Sequence, residues 1–186
     1  GALARRSGTP APELLRRYAD AKDPILMLDC ESPDLDALAR RVAHDPQLLA
    51  LVEGFLGRPA LRFDIRVQES LVADADAAFR EAKTQTVMFH YDVHGLNFLY
   101  VFFYLSDTDR DSGAHEMILD SHRRKRWAHF RSARVSDEAI YACYGREHAH
   151  IIEGPAGTGF AEDTSCFHRA LPPRIKPRLA LQIRYS

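Results

Sequence analysis

Hydrophobic and polar positions change their spacing about a third of the way along the chain. Within residues 1–58 the apolar positions recur at helical spacing, which predicts helices over residues 33–44 and 46–57 and the start of another at Pro12. A short apolar segment between turn-forming residues, 24–29, predicts a strand. Apart from that strand, we expect this part of the chain to be a helical lead-in.

From residue 60 onward the pattern becomes one of short segments with strand character. Apolar and polar residues alternate with period two, and aromatic and β-branched residues are frequent. The predicted strands cover residues 61–67, 86–92, 96–105, 114–120, 148–154, 157–163, 165–171 and 178–186. Residues 122–141 predict a mostly helical segment instead. About eight strands at this spacing are typical of an antiparallel sandwich or barrel, so we expect one domain over residues 1–186 with its core in 60–186.

The composition is that of an ordinary soluble domain and disfavours several classes of function. Apolar residues make up 46% of the 186 residues, and a net charge of −1 gives no field to attract nucleic acid or an acidic membrane. The longest apolar run, residues 96–105, is too short to cross a bilayer, and no signal-peptide pattern opens the chain. Three cysteines without a CxxC pair argue against a disulfide framework and a thiolate zinc site. We therefore expect a cytoplasmic protein that acts on a small molecule and binds neither nucleic acid nor membrane.

A candidate metal site begins with the triplet His90-Tyr91-Asp92. In a strand, residues two apart face the same side, so His90 and Asp92 would project together. The triplet alone is common by chance and needs a second histidine from a distant part of the chain. His168, in a predicted strand near the C-terminus, can supply it. Two imidazoles and one carboxylate on one face of Fe(II) leave three coordination positions open.

Arg178 is the candidate for holding an anion beside that metal. It follows His168 by ten residues, an even number, and the Pro172-Pro173 turn between them suits a reversal of the chain. The arginine could therefore point into the same cavity as the histidine. Its planar guanidinium matches a carboxylate in geometry as well as in charge.

Several motifs occur in an order that resembles a known family of enzymes. They are FHYD at 89–92, VFFYLSDTD at 101–109, Ser121-His122-Arg123, GPAGTGFAED at 154–163, FHRALPP at 167–173 and Arg178. The region from Phe89 to Arg178 resembles the phytanoyl-CoA dioxygenase family of iron- and 2-oxoglutarate-dependent oxygenases.

The resemblance implies a fold, a cofactor set and a reaction. The fold would be mainly β with N-terminal helices, a double-stranded β-helix of the jelly-roll, cupin-like kind. The triad His90, Asp92 and His168 would hold Fe(II), and Arg178 would anchor the 2-oxoglutarate co-substrate. With O2, such an enzyme hydroxylates a small organic substrate and releases succinate and CO2.

The chain departs from the family pattern at two positions. Many members carry Ser or Thr two residues after the distal histidine, where this chain has Ala170, and many carry Gly where this chain has Asp120. Both departures concern the surroundings of the site and remove no metal ligand. Related halogenases replace the carboxylate with a small residue, so the presence of Asp92 argues against halogenation.

Four further residues are candidates for lining the site. Phe102 could lie beside 2-oxoglutarate, and Gln68, on the strand before the iron strand, could contact it. His94 has the parity of His90 and Asp92, and Tyr100 shares a strand face with Phe102, so these two are candidates for contact with the substrate. Core packing or an ordinary strand position is the alternative interpretation for each of the four.

Three other interpretations of the chain stay open. A jelly roll without catalytic activity could use the same cavity to bind a ligand or partner. His148 and His150 form a His-x-His pair that a cupin-type metal enzyme could use. The segment 122–134 contains six Lys and Arg residues and no acid, which suits either a solvated surface or the recognition of an anionic or carrier-linked substrate.

Overall fold

The computed structural model describes most of the region in which the strands are predicted. The described residues are 3–4, 25–30, 33–72, 87–95, 97–127, 129 and 134–186. The helix predicted to start at Pro12 lies outside them. Within them the chain is mainly β, with two antiparallel sheets and a few helices. No helix in the described part of the chain is both long and apolar enough to cross a membrane.

Two helices precede the main strands, and their ends follow from local chemistry. Helix α1 spans Pro33–Ala43 and helix α2 spans Pro46–Leu56, close to the predicted bounds. The Asp45 side chain caps α2 by accepting hydrogen bonds from two backbone N–H groups of its first turn, at 2.9 and 3.2 Å. Gly57 ends the helix with a left-handed φ of 68°, a conformation that glycine adopts without a steric penalty.

The larger sheet has six strands. In spatial order they are β1 (Leu3–Ala4), β2 (Ile25–Cys30), β3 (Phe63–Ser70), β11 (Arg178–Tyr185), β5 (Leu99–Tyr104) and β9 (Gly159–Glu162). Strand β2 lies within the predicted lead-in, yet it pairs with β3. The first 58 residues therefore contribute to the sheet as well as to the helices.

The smaller sheet has five strands. In spatial order they are β7 (Arg134–Val135), β4 (Phe89–His90), β10 (His168–Ala170), β6 (His115–Ile118) and β8 (Ala149–Ile152). Helix α3, Asp137–Tyr144, packs against the outer face of this sheet, where Ile140 and Tyr144 join a buried cluster with Phe89 and Ile118. The opposite face of the sheet is left to line a cavity.

Alternation along β11 divides the larger sheet into two faces. Leu181, Ile183 and Tyr185 point to the helices and join a core cluster with Val52 and Leu56 of α2. The intervening residues, beginning with the buried Arg178, point to the side that faces the smaller sheet. The apolar core thus lies under the helices, and the space between the sheets is free for polar side chains.

Two predictions of secondary structure are wrong in detail. The strand predicted over 86–92 is only Phe89–His90, because the backbone N–H of Asp92 turns to the Thr164 carbonyl at 2.8 Å. The helical prediction for 122–141 is correct at Trp127 and His129 and in α3, but the chain begins there with a 3-10 turn, Ser121–Arg124, and strand β7 precedes α3.

Candidate metal centre

Strand pairing brings the two predicted histidine ligands together. Strands β4 and β10 are antiparallel neighbours, and His90 and His168 are direct partners in the register. Residues in direct register on one face of a sheet have adjacent side chains. Their imidazole rings accordingly lie 4.4 Å apart between centroids, although 78 positions of sequence separate them.

Both imidazoles are held in the same way by the backbone. Nδ1 of His90 lies 2.8 Å from the Met88 carbonyl, and Nδ1 of His168 lies 3.0 Å from the Cys166 carbonyl. A carbonyl oxygen only accepts, so each Nδ1 carries the proton and each Nε2 carries the lone pair. This is the tautomer that allows a histidine to ligate a metal through Nε2, with its second nitrogen fixed by a hydrogen bond.

Asp92 completes a group of three potential ligands. Its Oδ2 atom lies 3.8 Å from Nε2 of His168. One ligand atom from each of His90, Asp92 and His168 lies within 4.8 Å of the other two, and no other such group of His, Cys, Asp or Glu occurs among the described residues. Two nitrogens and one carboxylate oxygen in this arrangement fit a divalent metal of the Fe(II) type.

Burial keeps His168 in the state that binds metal. Loss of solvation is the main cause that lowers the pKa of His168 to about 4, and the Glu162 carboxylate opposes the shift. The nearby imidazoles of His90 and His115 lower it further. His168 is therefore neutral at physiological pH, with no proton to be displaced from Nε2 by a metal.

The three ligands open into a cavity of about 270 Å³ between the two sheets. All eight residues that the sequence singled out for the site line it: Gln68, His90, Asp92, His94, Tyr100, Phe102, His168 and Arg178. They come from five separate segments of the chain. The structure thus brings the predicted residues together, while the role of each is a question for the proposal below.

Arg178 is a buried cation that has no acidic partner among the described residues. One terminal nitrogen donates to the Gly113 carbonyl at 2.7 Å, the other donates to Ser70 Oγ at 3.1 Å, and Nε has no hydrogen-bond partner. No carboxylate of the described residues forms an ion pair with it. Burial lowers its pKa, which expresses the cost of holding this charge away from water. A carboxylate entering the cavity would relieve that cost.

Stacked aromatic rings form one wall of the cavity. Phe102 stacks on Phe160 at 5.1 Å and on Tyr100 at 5.7 Å between ring centroids. Tyr104 donates its hydroxyl to the Ile152 carbonyl at 2.8 Å and accepts from the His115 backbone N–H at 3.0 Å. The sequence left packing as an alternative for this stripe, and these rings do pack together, but they also line the cavity.

The structure adds a buried pair that sequence reasoning missed. His115 Nε2 lies 2.6 Å from Glu162 Oε2, although the two groups are not aligned as a hydrogen bond, and the His115 ring stacks on His168 at 5.4 Å. Burial lowers the pKa of His115 to about 3 and raises that of Glu162 to about 7. His115 begins β6 and Glu162 ends β9. Only the pairing of distant strands shows that the two residues meet beside His168.

The histidines of the cupin-type alternative stand apart from this centre. His150 is exposed on β8, and His148 ends the 3-10 turn that precedes that strand. Neither belongs to a three-residue ligand group within the described part of the chain. In the described part of the basic segment, Lys125 lies with its Nζ 3.4 Å from the centre of the Tyr91 ring.

Comparisons with known proteins show a shared fold at low sequence identity. No family model and no curated protein matches the chain. The fold is that of solved non-heme, 2-oxoglutarate-dependent enzymes. HygX from Streptomyces hygroscopicus, solved with nickel, 2-oxoglutarate and hygromycin B bound, is similar with a TM-score of 0.58 at 12% identity, over 96% of this chain and 79% of HygX.

Two further structures extend the comparison. The non-heme alpha-ketoglutarate-dependent epimerase SnoN from nogalamycin biosynthesis has a TM-score of 0.57 at 18% identity, over 94% of this chain and 84% of SnoN. AviO1 from Streptomyces viridochromogenes Tue57 has a TM-score of 0.52 at 18% identity, over 95% and 80% of the two chains. Similarity at this level establishes the fold, and function has to be argued from the site.

Proposed function

We propose that this chain is an Fe(II)- and 2-oxoglutarate-dependent dioxygenase that hydroxylates a small organic substrate and releases succinate and CO2. One observation carries the proposal. A preorganised group of two imidazoles and a carboxylate shares a cavity with Arg178, a buried guanidinium that has no acidic partner among the described residues. A metal would bind to the two imidazoles and the carboxylate, and a co-substrate that carries a carboxylate would pair with Arg178. The bound 2-oxoglutarate of the HygX structure supports the choice of co-substrate.

The proposal includes the organisation of the fold. We infer a double-stranded β-helix in which the two antiparallel sheets enclose the site, as one domain over residues 1–186 with its core in 60–186. The cavity between the sheets and the fold shared with HygX support this inference. The motif order between Phe89 and Arg178 supports a place near the phytanoyl-CoA dioxygenase family.

The three ligands suit iron for reasons of donor chemistry and orientation. When bound, iron and 2-oxoglutarate supply the activation of O2 and the oxidation of a substrate C–H bond. His90 and His168 would offer Nε2, because the Met88 and Cys166 carbonyls hold the proton on Nδ1. Asp92 would offer a carboxylate oxygen and balance part of the metal charge.

Arg178 would receive the far carboxylate of 2-oxoglutarate. Its contacts with the Gly113 carbonyl and Ser70 Oγ fix the guanidinium plane before the co-substrate arrives, which lowers the entropy cost of binding. Phe102 would cover the carbon chain and exclude water, and Gln68 would contact a polar end. Ala170 also lines the cavity and offers no hydroxyl to 2-oxoglutarate. Arg178 would therefore contribute more to co-substrate binding here than in proteins that have Ser or Thr at this position.

His94 and Tyr100 would contact the substrate. Both line the cavity, and their rings lie 5.8 Å apart between centroids. Nε2 of His94 is 3.9 Å from Oδ2 of Asp92, so this side chain lies between the proposed metal centre and the exposed part of the cavity. A substrate entering from outside would meet these two rings beside the metal.

Formation of succinate under O2 tests the proposal. Wild-type protein with Fe(II) and 2-oxoglutarate should form succinate slowly alone and faster with a true substrate. His168→Ala should abolish this reaction, whereas His150→Ala, at an exposed histidine, should retain it. Retention of turnover in His168→Ala with bound iron would show that the triad is assigned wrongly. Loss of activity in His150→Ala would favour the cupin-type site.

The fate of oxygen tests the hydroxylation itself. With ¹⁸O2, a hydroxylated product should carry one labelled oxygen atom for each succinate formed with substrate present. Succinate formation coupled to a product of unchanged mass would contradict hydroxylation and indicate another outcome, such as epimerisation.

A further inference from the structure

The outer end of the cavity carries two arginines that share one carboxylate. Arg66 on β3 lines both the cavity and an adjoining pocket, whereas Arg184, on the same face of β11 as Arg178, lines only the adjoining pocket, together with Asp64. Asp64 lies 2.8 Å from Arg66 and 3.6 Å from Arg184. One acid thus serves two guanidinium groups, and Nε of Arg66 is buried without a hydrogen-bond partner. The two guanidinium groups at this end of the cavity therefore have positive charge and N–H donors available to bind an anion.

The backbone positions of these arginines lie far from Arg178. Arg184 is six positions from Arg178 along β11, about 20 Å at the usual rise for each residue, and Arg66, which is opposite Gln182, is four positions away, about 13 Å. A five-carbon keto acid has only four C–C bonds and cannot reach from one to the other. The outer arginines are therefore available for a second molecule.

A hydrogen bond links this outer end to the metal centre. Arg184 donates to Nδ1 of His94 at 3.1 Å, and Nε2 of the same ring is 3.9 Å from Asp92. Tyr100 also interacts with Arg184, which opposes the upward shift that burial causes in the pKa of the tyrosine. A group bound by Arg66 and Arg184 would thus lie next to the two side chains proposed to contact the substrate.

Among the described residues, the outer end of the cavity carries an excess of positive charge. A divalent metal, Asp92, Arg178 and dianionic 2-oxoglutarate together carry no net charge. Arg66 and Arg184 against Asp64 leave one positive charge. A substrate with one anionic group would balance it, and the low dielectric of a partly closed cavity strengthens that interaction.

We propose that Arg66 and Arg184 bind an anionic group of the substrate, a carboxylate or a phosphate, and so determine its specificity. This inference rests on the proposed function, because it takes the cavity to hold a substrate beside metal and 2-oxoglutarate. It places the recognition of an anionic substrate inside the cavity and not on the basic segment 122–134.

Anion binding to the loaded protein tests the inference. Protein with Ni²⁺ and saturating 2-oxoglutarate is titrated with inorganic phosphate and, separately, with acetate, by calorimetry and thermal unfolding. The wild type should bind at least one of the two anions saturably, and the comparison shows whether phosphate or carboxylate is preferred. Arg66→Gln should weaken binding about tenfold, and Arg66→Gln/Arg184→Gln should weaken it further.

Matched variants make the result decisive. Arg174→Gln, at an exposed arginine that lines a different cavity, should bind like the wild type. Arg66→Gln leaves Arg184 paired with Asp64, so it tests the site even if the double variant fails to fold. The absence of saturable binding in the wild type, or unchanged affinity in Arg66→Gln, would overturn the inference. A protein that binds neither Ni²⁺ nor 2-oxoglutarate in the first step would contradict the proposed function instead.

Discussion

Arg178 is a residue that would lower the stability of the ligand-free protein while it provides affinity for an anion. Its guanidinium is buried, its pKa is lowered by burial, and it has only neutral hydrogen-bond acceptors, from Gly113 and Ser70. A buried charge without a counter-charge is unfavourable, and the cost is recovered when an anion binds. These features are the basis of the proposal that Arg178 binds an anion.

We predict that Arg178→Met separates stability from binding. The metal-free variant should be at least as stable as the wild type, because the uncompensated charge is gone, while 2-oxoglutarate should no longer stabilise the metal-loaded protein. Chemical unfolding with and without 2-oxoglutarate measures both effects. A variant that is strongly destabilised yet still responds to 2-oxoglutarate would contradict this account of Arg178.

Glu162 predicts a pH dependence of stability in the metal-free protein. Burial raises its pKa from 4.5 to about 7 in the folded state, so folding favours the protonated form. Its contribution is fully present below pH 4.5 and is lost as the pH rises through about 7. Glu162→Gln, which cannot ionise, should therefore gain stability relative to the wild type between pH 5 and 8, by up to about 3 kcal/mol.

Unfolding midpoints measured across that pH range test the prediction for Glu162. Glu138→Gln, at an exposed position of α3, is the matched control and should follow the wild type at every pH. An equal difference between Glu162→Gln and wild type at pH 5 and pH 8 would show that Glu162 does not titrate in this range.

At the scale of elements, the turn after β6 contains local strain. Asp120 has a φ of 58° and is the only residue other than glycine with positive φ in the described part of the chain. Its side chain makes no capping hydrogen bond to the 3-10 turn that follows. Glycine is the residue that adopts such a φ without a steric penalty.

Asp120→Gly should accordingly stabilise the protein by about 0.5–1 kcal/mol, since relief of strain outweighs the added freedom of the unfolded chain. Asp120→Ala keeps a Cβ in the strained region and should not stabilise it. Denaturant unfolding of the pair distinguishes backbone strain from any effect of removing the carboxylate. Equal stabilisation by Gly and Ala would mean that the charge, and not φ, is the cause.

Sequence spacing predicted the structure correctly where the position of a side chain depends on a single strand or turn. The helix ends at Asp45 and Gly57 follow from capping chemistry, and the alternation on β5 separates the faces of Phe102 and Val101. The strand interpretation around Asp92 was too long, because a contact with Thr164 ends the ladder. No local pattern records such a contact.

Strand register explains what the sequence could not provide. Ser70 is opposite Arg178, and His115 meets Glu162, only because distant segments pair in one particular alignment. Neither residue pair has a recognisable spacing along the chain. The two arginines at the outer end are likewise joined by their shared carboxylate, Asp64, through the pairing of β3 with β11.

At the scale of the whole molecule, each sheet has one face for stability and one for the site. The helices cover the outer face of the larger sheet, and α3 covers the outer face of the smaller one. The inner faces carry the three potential metal ligands, Arg178 and the aromatic wall. Ligands that fill the cavity contact both sheets and should therefore stabilise the entire fold.

Visible absorption under anaerobic conditions tests whether one cavity holds both iron and 2-oxoglutarate. Fe(II) and 2-oxoglutarate added to the wild type should produce the weak charge-transfer band of the chelate. The band should be absent in His168→Ala, weakened in Arg178→Ala at equal 2-oxoglutarate, and unchanged in His150→Ala. A folded, iron-loaded wild type that shows no band would contradict the account.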